Sequence, residues 1–106
     1  MRPEKPRERR CPFVALIELT DVGSDVHTSA NTTNLSLSGC RVEKQVILPI
    51  GARVMVRITH RGEKFTAYGR IARVQLDGET GIIFTRIESN DRAKLDKWLV
   101  ESKIRK

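Results

Sequence analysis

The sequence predicts a mainly β domain, an antiparallel sheet that curls into a barrel, followed by one C-terminal α-helix. Three observations carry this. Short apolar–polar alternations recur between Phe13 and Phe84, each closed by glycine, proline or an Asp-Gly pair. The connections are too short to hold crossover helices, so neighbouring strands run antiparallel. A single stretch of helical period, Asp91 to Ile104, comes last. A small curled antiparallel sheet most readily loses its exposed edges by closing on itself.

The elements follow in order. Met1 to Pro12 carries Arg2, Lys5, Arg7, Arg9 and Arg10 among Pro3, Pro6 and Pro12. Proline and like charge both oppose regular structure, so residues 1–12 are expected to form a flexible basic arm. Residues 13–104 then form the domain. Phe13, Ala15, Ile17 and Leu19 alternate on one face of a first strand. Asp21-Val22-Gly23-Ser24-Asp25 is a turn. His27 to Leu35, rich in serine and threonine, reads as a second strand with one solvated face. Cys40-Arg41-Val42 resumes a strand after Gly39, and Leu48-Pro49-Ile50-Gly51 is a loop.

The clearest strand holds Val54, Val56 and Ile58, alternating with Arg53, Met55, Arg57 and Thr59. His60-Arg61-Gly62-Glu63 closes a hairpin. Phe65, Ala67, Gly69, Ile71 and Arg73 then share one face of a return strand that runs to Leu76. An arginine on that apolar face predicts a bulge near Gly69 or an end of burial. Asp77-Gly78 is a hairpin turn of the type that needs positive φ at both central residues. Gly81-Ile82-Ile83-Phe84 is the last strand. The helix, about residues 90–104, has Ser89 or Asn90 as its cap and Asp91 at the positive end of its dipole. Lys103, Arg105 and Lys106 crowd the other end. Leu95, Trp98, Leu99 and Ser102 form the stripe that docks it on the sheet.

At 106 residues this is one domain, able to bury a modest core without disulfides. With 39% apolar and 31% charged residues it is ordinary for a soluble, folded chain. No apolar run approaches the roughly 20 residues that span a bilayer, so no membrane insertion is expected. Met1 to Pro12 is not followed by a signal-type apolar core, and the expected location is cytoplasmic. Cys11 and Cys40 are too few for a metal site and are expected to be free thiols. The net charge of +7 favours an anionic partner, without choosing among nucleotide, nucleic acid, acidic protein and lipid.

Catalytic chemistry has no visible basis. His27 and His60 stand alone, in a polar strand and a hairpin turn. No Ser-His-Asp order, glycine-rich phosphate loop or paired acid cluster appears, so the chain is expected not to be an enzyme and to need no cofactor. The candidates for binding are Arg7, Arg9, Arg10, Asn34, Ser36 and Gly39. Arginine grips phosphate with two parallel bonds and can read the O6 and N7 edge of guanine. Asn34, Ser36 and Ser38 alternate by two, so an extended segment puts them on one face with Leu35 and Leu37 anchored on the other. Gly39 permits a sharp turn or a close approach.

Asn34-Leu35-Ser36-Leu37-Ser38-Gly39 fits [D/N]-x-Ser-x-x-Gly, and with the upstream arginines it resembles the two signature elements of PilZ domains. Gly81-Ile82-Ile83-Phe84 is similar to the family's late Gly-[I/V]-x-Phe strand. The resemblance runs from about Arg7 to Leu99. It implies a six-stranded antiparallel split barrel with a C-terminal helix, and a receptor or adaptor that binds the second messenger cyclic di-GMP and passes the signal to a protein partner. It also implies that the arginines meet guanine and phosphate while Asn34, Ser36 and Gly39 seat the rest of the nucleotide. One departure is plain. Family members often read Arg-Arg-x-Pro-Arg into the first strand, and here Arg9-Arg10-Cys11-Pro12-Phe13 puts Phe13 where the second arginine belongs. Losing one charge-assisted contact costs about 1.5–3 kcal/mol, roughly 10- to 150-fold in affinity. Two other readings therefore stand beside the receptor. One is a PilZ-like module that has lost the nucleotide and works through protein contacts. The other is a basic barrel that binds nucleic acid, disfavoured because the chain has few aromatics for base stacking.

Overall fold

Seven strands and one helix form from the alternations just described, in a computed structural model that describes residues 11–44, 46, 48–74 and 78–104. The strands are β1 (Cys11–Pro12), β2 (Leu16–Asp21), β3 (His27–Leu35), β4 (Gly39–Val42), β5 (Arg53–His60), β6 (Glu63–Val74) and β7 (Thr80–Ile87). The helix, α1, spans Ser89–Ile104. All pairings are antiparallel. The lateral order β3-β2-β5-β6-β7-β4 returns from β4 to β3, so six strands close a barrel and β1 adds to β3 as an extra strand. Closure satisfies the backbone edges that an open sheet of this size would leave bare.

Alternation decides which side chains fill the barrel. Ile17, Leu19, Leu35, Val42, Val54, Val56, Ile58, Phe65 and Ile71 are all essentially inaccessible. Phe84 packs on Phe65, ring centroids 5.2 Å apart. The expected bulge exists, and there are two irregularities. Register shifts fall between Tyr68 and Gly69 and again between Ile71 and Arg73. The second carries Arg73 out of the buried series, which explains an arginine at an apolar parity.

The first strand differs from expectation. Phe13, Val14 and Ala15 leave the regular ladder, and β2 starts at Leu16. The cause is Thr32, only 1% exposed. Its hydroxyl donates to the Phe13 carbonyl and accepts the Ala15 N–H, so a side chain satisfies these two groups, while the Phe13 N–H and the Ala15 carbonyl still bond the β3 backbone at Thr33 and Thr32. Before the irregularity, β1 pairs with the far half of β3. After it, β2 pairs with the near half.

The turns follow local chemistry. The Asp21 carboxylate accepts both the N–H and the hydroxyl of Ser24 (2.9 and 2.7 Å), closing the β2–β3 turn. Arg61 and Gly62 hold φ of +51° and +80°, the doubly positive pattern that joins β5 to β6 with two residues. The Asp77 half of the last expected turn, with the end of the return strand at residues 75–77, lies outside the described residues. So do Arg105 and Lys106.

The helix begins at Ser89, one residue before the expected start at about residue 90. Arg92 N–H bonds the Glu88 carbonyl at 2.8 Å, which makes Glu88 the cap and puts Ser89 and Asn90 inside the first turn. Asp91 uses its carboxylate elsewhere, accepting the Thr66 N–H on β6 at 3.0 Å. Leu95 and Trp98 are fully buried. Trp98 stacks on Phe13 at 5.6 Å and meets His60 edge-on at 5.2 Å. Its indole N–H donates to Glu63, which also receives Lys97. These bonds, that from Trp98 first and then Lys97, hold the Glu63 carboxyl below its ordinary pKa. Docking of the helix thus joins one large apolar side chain to one anchored carboxylate.

Candidate functional site

The Asn34–Gly39 segment is the end of β3 and the tight turn into β4. β3 stops at Leu35, and with it stops the alternation that was expected to align Asn34, Ser36 and Ser38. Asn34 is partly exposed and Ser38 exposed, but Ser36 is 1% exposed and turned into the hairpin. Ser36 N–H and hydroxyl both donate to the Gly39 carbonyl, at 2.9 and 3.3 Å, and the Ser36 hydroxyl accepts the Ser38 N–H at 3.3 Å. Beyond the turn, the Phe84 N–H reaches the Ser38 carbonyl at 2.8 Å. Leu35 fills the core and Leu37 packs against it.

Gly39 is required by backbone proximity. A Cβ at this position would lie 2.1 Å from the Ile82 carbonyl oxygen, 3.1 Å from that carbonyl carbon and 3.2 Å from Ile83 Cα. All three are backbone atoms of β7, and no side-chain motion relieves them. The close approach foreseen at Gly39 is therefore an approach of strand to strand.

Asn34 sits at the junction of three strands. Its register partner is Pro12 on one side and Arg41 on the other. The ladder is irregular between Thr32 and Asn34. Arg41 lies 3.7 Å from Glu79, a loose and partly exposed pair. Cys11, the residue bonded to Arg10, is paired with Leu35. The basic arm thus joins the barrel directly beside the signature segment, and Cys11 and Pro12, at the end of the expected arm, are strand-paired. Arg7, Arg9 and Arg10 lie outside the described residues.

Phe13 is core. It is 6% exposed, stacks on Trp98 and touches His60, with ring centroids 4.6 Å apart. Sequence reasoning had no signal for Thr32, one hydroxyl in a run of serines and threonines. Its role depends on the chain opposite. Cys11 and Cys40 are both buried. Among the described residues no three histidine, cysteine or carboxylate side chains gather as metal ligands, and no helix is long and apolar enough to cross a membrane.

Comparison with protein families matches residues 4–101 to the PilZ domain. The chain belongs to the PilZ domain family. PilZ domains are in general cyclic di-GMP receptors, binding and adaptor modules rather than enzymes. Solved structures agree on the fold. The PilZ domain of CeSA from a cellulose-synthesizing bacterium is similar with a TM-score of 0.74 at 20% identity, over 90% of this chain and 98% of that one. The PilZ domain of Escherichia coli YcgR, solved with c-di-GMP, gives 0.73 at 11% identity, over 94% and 92%. The Bacillus subtilis inhibitor of motility, MotI/DgrA, gives 0.80 at 12% identity, and this chain spans 55% of it. Comparison with curated protein sequences finds no match. The six-stranded PilZ barrel with its C-terminal helix is therefore the architecture expected from the sequence.

Proposed function

We propose that this PilZ domain binds cyclic di-GMP where the basic arm meets Asn34, and relays its presence to a protein partner in the cytoplasm. The observation that carries the reading is the pairing of Pro12 with Asn34, which brings the root of the arm alongside the signature segment. Arg9 and Arg10 supply charge and guanine-reading forks, with Arg7 behind them. Asn34 offers both a donor and an acceptor at the barrel surface. Ser36 and Gly39 contribute by holding the turn that presents Asn34 and Ser38. Neutralising the arm with ligand phosphate favours folding it across the barrel, and that change of surface is what a partner would read.

A second reading has its own support. Phe13 is stacked into the core, and the packing of Ser36 and Gly39 is explained without a ligand. A PilZ barrel that acts through protein contacts alone would look the same. Titration calorimetry with cyclic di-GMP separates the two. The receptor reading expects saturable heat, weakened at least about tenfold in Arg9→Ala or Asn34→Ala. Absence of heat at about 100 µM nucleotide, some 5.5 kcal/mol of affinity, removes it and leaves the second.

A further inference from the structure

Outside the signature segment, one cross-strand row is chemically unusual. Asn34 on β3 pairs with Arg41 on β4, Arg41 pairs with Gly81 on β7, and Gly81 pairs with Arg73 on β6. At about 4.8 Å per strand, the two arginine Cα atoms stand roughly 10 Å apart with a residue lacking a side chain between them. Arg73 is exposed, and among the described residues it has no acidic partner. Arg41 makes a loose contact with Glu79 at 3.7 Å.

Gly81 is the informative residue. Gly39 and Gly69 are enforced by backbone: a Cβ would come within 2.1 Å of Ile82 O and 2.8 Å of Ile83 O respectively. At Gly81 an added Cβ would make only ordinary contacts, 3.7 Å to Arg73 Cβ and 3.9 Å to Arg73 O, and no positive φ applies. Glycine weakens a strand, and neither a close contact nor a positive φ requires it here. What it provides is a bare floor between two guanidinium groups.

We propose that Arg41, Gly81 and Arg73 form an anion cradle on the outer face of β4, β7 and β6 that receives a phosphate of the bound nucleotide. This rests on the cyclic di-GMP reading for the identity of that nucleotide. Arginine forks take phosphate in paired, charge-assisted bonds, and a floor without a side chain lets the phosphate reach the sheet. The cradle begins one residue across from Asn34, so a single ligand can span both. It supplies from the barrel wall the cationic contact that Phe13 removes from the arm.

The test is an amide chemical-shift titration of the full chain, run once with cyclic di-GMP and once with inorganic pyrophosphate. It is paired with nucleotide affinities and thermal midpoints of Arg73→Gln and Gly81→Val. The cradle expects shifts at Gly81, Arg41 and Arg73 with either probe. It also expects at least about tenfold weaker nucleotide binding in both variants, without loss of midpoint, because valine suits a half-buried strand position with room for its Cβ. If the nucleotide binds while this row stays silent, or both variants keep parental affinity, the cradle is wrong and the receptor reading survives. Pyrophosphate shifts on the row without nucleotide binding leave it an anion site but overturn its assignment to the nucleotide together with the receptor. Silence with both probes removes both.

Discussion

Gly39→Ala separates packing from ligand binding at the last position of the signature. The added methyl carbon would start 2.1 Å from the Ile82 carbonyl oxygen. A close carbon–oxygen contact is about 3.3 Å, so β4 and β7 must part locally by roughly 1 Å. The seam at stake is short, Gly39↔Ile83 to Val42↔Thr80. Straining two or three of its backbone bonds, at about 1 kcal/mol each, together with the overpacking, gives an expected loss of about 2–4 kcal/mol. For a domain of this size that lowers the thermal midpoint by roughly 10–25 °C. Urea unfolding followed by Trp98 fluorescence reads it directly, since Trp98 is the sole tryptophan and is buried. Gly81→Ala is the internal control, expected to stay within about 0.5 kcal/mol of the parent. If Gly39→Ala unfolds like the parent yet loses nucleotide binding, the assignment of Gly39 to packing is refuted.

Thr32→Val keeps the shape but removes the two bonds its hydroxyl makes, to the Phe13 carbonyl and the Ala15 N–H, with an expected cost of about 2–4 kcal/mol in urea unfolding. Phe13→Ala should cost about 3–5 kcal/mol. Phe13→Arg restores the four-residue spacing to Arg9 but loses the same stacking, so a parent-like melting curve for it would contradict the core role of this ring. The depressed pKa of Glu63 makes its contribution to stability fully present above the ordinary glutamate pKa of 4.5 and lost as pH falls through the lower folded value. Glu63→Gln should therefore flatten the acid limb of a stability–pH profile below about pH 4.5, and an unchanged limb would argue against the Trp98 and Lys97 anchorage.

Most of the barrel was legible because period-two alternation survives wherever one face of a strand is buried. Val54, Val56 and Ile58 could be read without a structure, as could the two-residue turn at Arg61-Gly62. The departures arise where a side chain replaces a backbone partner. Thr32 bridges Phe13 and Ala15, so a segment with perfect alternation leaves the ladder. Glu88 caps α1 through its carbonyl, which reveals nothing of its side chain, and the better capping residues, Ser89 and Asn90, fall just inside. At the site, the signature residues could be found by pattern, but the reasons for them could not. The need for glycine at 39 lies in the Ile82 carbonyl, more than forty residues along the chain and invisible to any local reading. The row through Arg41, Gly81 and Arg73 depends on a register that the irregularity at Ile71/Arg73 shifts, so spacing alone could not assemble it.

The seam between β4 and β7 has a consequence for how the chain is made. Residues 39–42 emerge from the ribosome well before residues 80–83, their partners on that side. Until those later residues exist, the outer edges of β4 and of β6 stay open, each able to template a strand from another molecule. A ribosome stalled or a protease cut between residues 74 and 80 would leave both edges bare at once, whereas loss of α1 leaves the ring of strands shut. Truncations on the two sides of β7 should therefore differ sharply in solubility, the shorter aggregating and the longer remaining dispersed.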